Sequence, residues 1–136
     1  ETLVQDLGLE EHAILTGFIP DEEIQDYYNL CDVFAMPSKG EGFGIVYLEA
    51  LSCGKPVIGG NKDGAIDALC HGKLGLLVDP DDIDAITDAL IEVLRGQCNH
   101  PLIYQPTALR RAVEEIYGFE SFKRNLESLF QSFCVT

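Results

Sequence analysis

Two glutamates in a glycine-rich stretch are the residues best suited to chemistry. Glu41 and Glu49 lie eight positions apart. The loop around the first of them contains Gly40, Gly42 and Gly44, which let a backbone approach a ligand closely. A helix that begins near Gly44 would offer unpaired N–H groups to an anion. Glu49, about one turn inside that helix, could accept hydrogen bonds from a ribose diol, and Glu41 could reach a sugar.

Strands and helices alternate on both sides of this stretch. Apolar runs predict strands at 13–17, 32–36, 56–59 and 75–78. Amphipathic segments predict one helix that starts at Pro20 and three more at about 44–52, 65–70 and 82–94. The alternation predicts an α/β fold with a Rossmann-like parallel sheet flanked by helices. The loop at 38–42 then lies at the carboxyl end of a strand, where open sheets of this kind bind ligands.

The ends of the chain complete this organisation. Residues 1–7 are helix-like and no strand precedes them, so we expect a first strand to be missing upstream. Residues 96–106 form a connector, and two helices follow at about 107–117 and 119–133. The last helix carries a nonpolar stripe, which we interpret as a packing face, with an interdomain role as the alternative: Phe119, Phe122, Leu126, Leu129 and Phe133. We therefore divide the chain into a partial Rossmann-like domain at 1–95 and C-terminal helices at 96–136.

Composition narrows the possible partners. The 136 residues suit one domain and contain no apolar run long enough to span a membrane. A net charge of -14 disfavours nucleic acid and anionic membranes as partners, although backbone amides could still hold a small anion. The five cysteines lack a CxxC pair, which predicts reduced, buried thiols in the cytosol, and the three histidines lack metal-ligand spacing.

The stretch from Met36 to Val57 closely resembles the signature of retaining GT-B glycosyltransferases of family 4. The matching residues are Pro37, Ser38, Glu41, Phe43, Gly44, Glu49, Gly54, Pro56 and Val57. Residues 16–19, 64–67 and 72–80 resemble flanking elements of the same family. Asp67 stands where the family usually has a glutamate, and the basic residues that neutralise the diphosphate in the family are expected upstream of Glu1.

This resemblance implies the C-terminal, donor-binding half of a GT-B fold. The implied reaction is retaining transfer from a nucleoside-diphosphate sugar, with a UDP-sugar favoured, to a glycan or glycolipid. Glu41 would be catalytic, Glu49 would bind the ribose, and the backbone from Gly42 to Val46 would hold the diphosphate. The complete set of implied donor-binding residues is Glu49, Gly42, Phe43, Gly44, Ile45, Val46, Leu48, Ser38, Lys39 and Ile19. The family implies no metal and no cofactor.

The resemblance also implies a partner domain and leaves an alternative function open. An N-terminal acceptor domain of the same protein would be missing, so we expect this chain alone to be inactive. We expect a cytoplasmic location, with peripheral membrane attachment through that missing domain left open. The alternative is a non-catalytic nucleotide-binding or interaction domain. A dinucleotide binder would more naturally carry G-x-G-x-x-G, a spacing that Gly40, Gly42 and Gly44 do not fit.

Overall fold

A three-stranded parallel sheet forms the centre of the computed structural model, which describes residues 2–133. The strands are β1 (Phe34–Met36), β2 (Val57–Gly60) and β3 (Leu76–Val78), in the spatial order β1-β2-β3. Phe34 pairs with Val57, and Ile58 pairs with Leu76. The predicted α/β class with a parallel sheet is confirmed.

Helices connect and cover these strands. They are α1 (Thr2–Asp6), α2 (Asp21–Leu30), α3 (Ile45–Ser52), α4 (Ala65–Ala68), α5 (Ile83–Leu94), α6 (Pro106–Tyr117) and α7 (Phe119–Phe133), with a 3-10 turn at Pro101–Tyr104. Local chemistry explains several of the helix ends. The Asp82 carboxylate accepts a hydrogen bond of 2.9 Å from the Ala85 N–H at the start of α5. Gly54, at φ +74°, follows α3 in the left-handed conformation that commonly ends helices.

The core lies on both faces of β2. Val57 and Ile58 are consecutive in this strand and both fully buried, so their side chains point to opposite faces of the sheet. The Val57 side contains Tyr47, Leu51, Leu69, Leu74 and Leu109 from α3, α4, α6 and the segment before β3, and the Ile58 side contains Val78, Ala89, Val93 and Ile103. Burial on both faces is typical of parallel sheets. It packs α3 against β2.

The strand predicted at 13–17 is not formed. This segment is irregular, and Ile14 is 89% exposed. A strand is stable only when a neighbouring strand pairs with its backbone, and the described residues provide no such neighbour here. The apolar pattern of residues 13–17 was therefore not enough to predict a strand correctly.

The C-terminal helices behave differently from each other. α6 buries Leu109 and Val113 beneath α3 and belongs to the main core. Along α7 the predicted stripe is exposed, with Phe119 at 74% and Phe133 at 73%, so the expected packing face is not buried within residues 2–133. The division at residue 95 stays a prediction. Glu1 and Cys134 lie outside the described residues. Within those residues, no helix combines the length and apolar character needed to cross a membrane.

Candidate functional site

The glycine loop, defined as residues 38–44, joins β1 to α3 at the carboxyl end of β1. Gly44 caps α3 with φ +86°, a conformation that side chains other than glycine rarely adopt. A Cβ added at Gly44 would lie 2.3 Å from Cε2 of Tyr47. Both the turn and the ring therefore require glycine here. The N–H groups of Ile45 and Val46 point out of the first turn of α3, where a helix offers them no acceptor.

Tyr47 is buried beneath the glycine loop and connects α3 to β1. Its side chain is fully buried, and its hydroxyl donates a 2.8 Å hydrogen bond to the Met36 carbonyl oxygen at the end of β1. Burial raises the pKa of Tyr47, so the hydroxyl remains a donor at neutral pH. This hydrogen bond ties the start of α3 to the last residue of β1 and fixes the position of the loop between them.

A second loop, residues 61–64 after β2, braces the glycine loop through Asp63. One carboxylate oxygen, Oδ2, accepts hydrogen bonds from the Ser38 hydroxyl at 2.6 Å and the Glu41 N–H at 3.0 Å. The other oxygen, Oδ1, accepts from the Ala65 N–H at 3.0 Å. Burial by itself would raise the pKa of Asp63. The hydrogen bonds from Ser38, Glu41, Ala65 and Gly40 outweigh that effect and lower the pKa.

Glu41 lies folded over its own loop. Its Oε1 atom accepts a 3.0 Å hydrogen bond from the Gly42 N–H. The Glu41 N–H is itself bonded to Asp63, so the amides of Glu41 and Gly42 are both engaged. The expected site also includes the amides of Phe43 and Gly44 and those of Ile45 and Val46, which lie in the first turn of α3 where the helix supplies no acceptor. This arrangement narrows the expected backbone site, because Gly42 was one of its expected members.

Glu49 faces α2 from the exposed side of α3. The Tyr28 hydroxyl donates a 2.9 Å hydrogen bond to Oε2 of Glu49. Burial, followed by the contact with Glu49, raises the pKa of Tyr28, so this donor keeps its proton. Glu49 and Tyr28 line an open cavity of about 520 Å³ between α2 and α3. Tyr28 thereby orients one carboxylate oxygen and leaves the other available to a ligand.

Lys39, the expected basic neighbour of the diphosphate, is paired with an acid. Its ammonium group contacts the Asp81 carboxylate, and Lys62 lies 2.8 Å from the same residue and 2.7 Å from Asp79. The side chains of Lys39 and Asp81 are 58% and 51% exposed. An ion pair this exposed contributes little stability, so Lys39 can leave it at small cost.

Leu48, another expected donor-binding residue, lines a different cavity from Glu49. Leu48 lies on the α6 side of α3, where it packs against the core and lines a groove with Val113 and Tyr117. Neighbouring helix positions point about 100° apart, which explains why Leu48 and Glu49 line different cavities. Ile19 is half-buried in the irregular segment before α2.

Of the described cysteines, Cys53 lines the cavity that contains Glu49 and Tyr28. The four described cysteines are unpaired and half-buried, where full burial was expected, and burial raises the pKa of Cys31 and Cys98. His12 and His71 are exposed, and Nε2 of His100 lies 2.9 Å from the Gly72 carbonyl oxygen. No group of three His, Cys, Asp or Glu side chains within residues 2–133 is arranged to hold a metal.

Sequence reasoning missed Asp63 and Tyr28. The signal for Asp63 was available, because it follows β2 and the carboxyl ends of adjacent parallel strands lie at one edge of the sheet. Tyr28 was interpreted as part of the apolar face of α2. Its ring does pack against Phe34, at a centroid distance of 5.5 Å, but its hydroxyl reaches Glu49. Helical spacing alone does not reveal what a tyrosine hydroxyl contacts.

Known proteins are similar in sequence to most of this chain. A relative from Mycolicibacterium smegmatis, a GDP-mannose-dependent alpha-(1-6)-phosphatidylinositol monomannoside mannosyltransferase, is 44% identical over 101 residues, which are 69% of this chain and 26% of the relative. A D-inositol 3-phosphate glycosyltransferase from Corynebacterium urealyticum is 35% identical over 134 residues, which are 97% of this chain and 30% of the relative. The chain thus spans between about a quarter and a third of the length of these relatives.

Solved structures show the same fold. Sucrose-phosphate synthase from Thermosynechococcus elongatus superimposes with a TM-score of 0.80 at 28% identity, over 97% of this chain and 33% of that one. HepE from Anabaena, in complex with UDP and glucose, gives a TM-score of 0.73 at 25% identity over 96% and 35%. The family model described as glycosyl transferases group 1 matches residues 1–111. Because this match covers most of the chain, the protein belongs to the glycosyl transferases group 1 family, as a GT-B glycosyltransferase domain.

Proposed function

We propose that this chain is the donor-binding part of a retaining glycosyltransferase. The full protein would move a sugar from a nucleoside-diphosphate sugar to a glycan or glycolipid acceptor. One observation carries the proposal: the glycine loop leads directly into α3, and Glu49 lies one turn inside that helix at the carboxyl end of the sheet. A phosphate at the helix start and a ribose diol on the carboxylate fit this arrangement.

Each part of the donor has a matching group. The N–H groups of Ile45 and Val46, with the positive end of the α3 dipole, suit the diphosphate. The free oxygen of Glu49 suits a ribose hydroxyl, while Tyr28 holds the other oxygen. Glu41 would contact the donor sugar after its bond to the Gly42 N–H opens. We propose that backbone amides and basic groups neutralise the negative charge of the diphosphate, without a metal or a cofactor.

The relatives bear on the donor base. The curated name of the Mycolicibacterium smegmatis relative specifies GDP-mannose, whereas the HepE structure contains UDP and glucose. The groups described above contact ribose and phosphate, which both donors share. The GDP-dependent relative has the higher identity to this chain, 44% against 25% for HepE, and therefore favours a GDP-sugar over the UDP-sugar expected from the sequence.

A calorimetric titration tests the proposal and its alternatives. The purified chain is titrated with GDP, UDP and NAD, and we expect one or both diphosphates to bind and NAD not to bind. Glu49→Gln should weaken the tighter diphosphate by about tenfold, because a charge-assisted hydrogen bond to ribose is lost. Glu127→Gln, an exposed glutamate on α7, is the matched control and should change nothing.

Two results would contradict the proposal. Binding of NAD in place of the diphosphates would favour a dinucleotide-binding domain. Absence of binding to all three would favour an interaction domain, in which the glycine loop is an ordinary turn.

A further inference from the structure

The backbones of the glycine loop and of the loop after β2 are in direct contact. The Gly64 N–H donates a 2.9 Å hydrogen bond to the Glu41 carbonyl oxygen. A Cβ added at Gly60 would lie 2.3 Å from the Ser38 carbonyl oxygen, and one added at Gly64 would lie 2.1 Å from that of Gly42. Backbone approaches backbone here without intervening side chains, so the position of one loop sets the position of the other.

Asp63 is the side chain that joins the two loops. Its three hydrogen bonds reach Ser38 and Glu41 on the glycine loop and Ala65 at the start of α4. Removing this carboxylate would leave those donors without their acceptor, which is costly for groups that are partly buried. The loop would then relax away from the geometry that presents the start of α3.

The negative charge of Asp63 should by itself lower the affinity for a diphosphate. A carboxylate beside the site of a diphosphate repels the ligand, so on charge alone its removal should strengthen binding. The chain already carries a net charge of -14, which adds to the repulsion. A carboxylate at this position favours binding only if fixing the conformation of the glycine loop raises affinity by more than the charge repulsion lowers it.

We propose that Asp63 is a positioning residue for donor binding, holding the glycine loop so that the amides at the start of α3 face the diphosphate. This inference rests on the proposed function. Asp63 acts through the loop and does not itself touch the ligand, because its oxygens are engaged by Ser38, Glu41 and Ala65. It therefore affects the diphosphate half of the ligand and not the nucleoside half, which Glu49 binds one turn further along α3.

The test compares a nucleoside diphosphate with its nucleoside. The ¹⁵N-labelled chain is titrated by NMR with GDP and guanosine, and with UDP and uridine, and the tighter pair is followed in the variants. Asp63→Asn keeps the shape of the side chain but turns one acceptor into a donor. We expect it to weaken the diphosphate about tenfold and to leave the nucleoside affinity unchanged.

Two further variants complete the design. Ser38→Ala removes one donor to Asp63, together with a longer 3.4 Å contact to the Tyr47 hydroxyl, and should give a smaller loss in the same direction. Asp88→Asn removes one negative charge from the exposed side of α5 and should leave diphosphate affinity unchanged or slightly raised. Thermal melts confirm that each variant is folded; if Asp63→Asn does not fold, Ser38→Ala alone decides.

The outcomes separate this inference from the proposed function. Equal or tighter diphosphate binding in Asp63→Asn overturns the inference and shows that charge dominates. Equal losses for nucleoside and diphosphate also overturn it, because they indicate general damage to the domain. If the wild-type chain binds neither diphosphate, the proposed function fails and the inference fails with it.

Discussion

Gly64→Ala is the substitution that most cleanly displaces the glycine loop. The new methyl group would lie 2.1 Å from the Gly42 carbonyl oxygen and 2.7 Å from the Phe43 nitrogen, whereas ordinary contact begins at 3.4 Å. The glycine loop must therefore retreat by about 1.3 Å, the difference between 3.4 and 2.1 Å. Gly64 has φ -63°, so alanine is not strained in its own backbone and the effect is purely a displacement of the loop.

The expected cost combines two opposing terms. Overpacking of this kind destabilises a protein by about 1–3 kcal/mol. Replacing glycine by alanine also restricts the unfolded chain, which returns about 0.4–1 kcal/mol. The net loss in the free energy of unfolding should thus lie between about 0 and 2.6 kcal/mol, with about 1.3 kcal/mol from the middle of both ranges. Donor affinity should fall as well, because the amides at the start of α3 move with the loop.

Urea denaturation measures the first effect and calorimetry with GDP or UDP the second. Gly40→Ala is the matched control, because a Cβ there meets nothing within 4 Å and its φ is not positive. It should be neutral or slightly stabilising. If Gly64→Ala is as stable as Gly40→Ala and binds the diphosphate normally, the contact between the two loops is not what positions the site.

Three further predictions follow from single contacts. Tyr28→Phe should weaken a nucleoside diphosphate less than Glu49→Ala, which should cost roughly 1.5–3 kcal/mol in calorimetry, because the first loses only the group that orients the carboxylate. Lys39→Ala should change affinity by less than either, since its ammonium group is exposed and paired with an acid; abolished binding would instead show a side-chain clamp. The lowered pKa of Asp63 means that its ionised form stabilises the fold above its unfolded pKa and stops doing so as pH falls through the folded value. The stability difference between wild type and Asp63→Asn, measured in urea, should therefore be constant from about pH 5 to 8 and shrink below about pH 4; a difference that grows with acid would contradict this.

Much of the fold was predictable because its signals are local. The predicted helix at about 44–52 is observed at Ile45–Ser52, since Gly44 and Gly54 mark its two ends. The strand at 75–78 is observed at Leu76–Val78 for a similar reason, an apolar run between turns. The segment at 13–17 has an equally apolar pattern, but strand formation depends on a neighbour that the pattern does not contain.

The site was predictable in its backbone and not in its side-chain partners. The spacing from Gly44 to Glu49 follows from helix geometry and places the carboxylate one turn inside α3. The bond from Tyr28 to Glu49 spans 21 residues, and that from Ser38 to Asp63 spans 25. Contacts at such separations depend on how the elements pack, and spacing along the chain does not reveal them. The pairing of Lys39 with Asp81, 42 residues away, was hidden for the same reason.

A crystal structure of this chain with GDP or UDP tests the central claim most directly. The account predicts the ribose hydroxyls within hydrogen-bond distance of Glu49 and the diphosphate oxygens on the N–H groups of Ile45 and Val46. It also predicts that Asp63 keeps its bonds to Ser38 and Glu41 while the ligand is bound. Ligand density away from α3, or a diphosphate held by Lys39 with the start of α3 empty, would contradict the account.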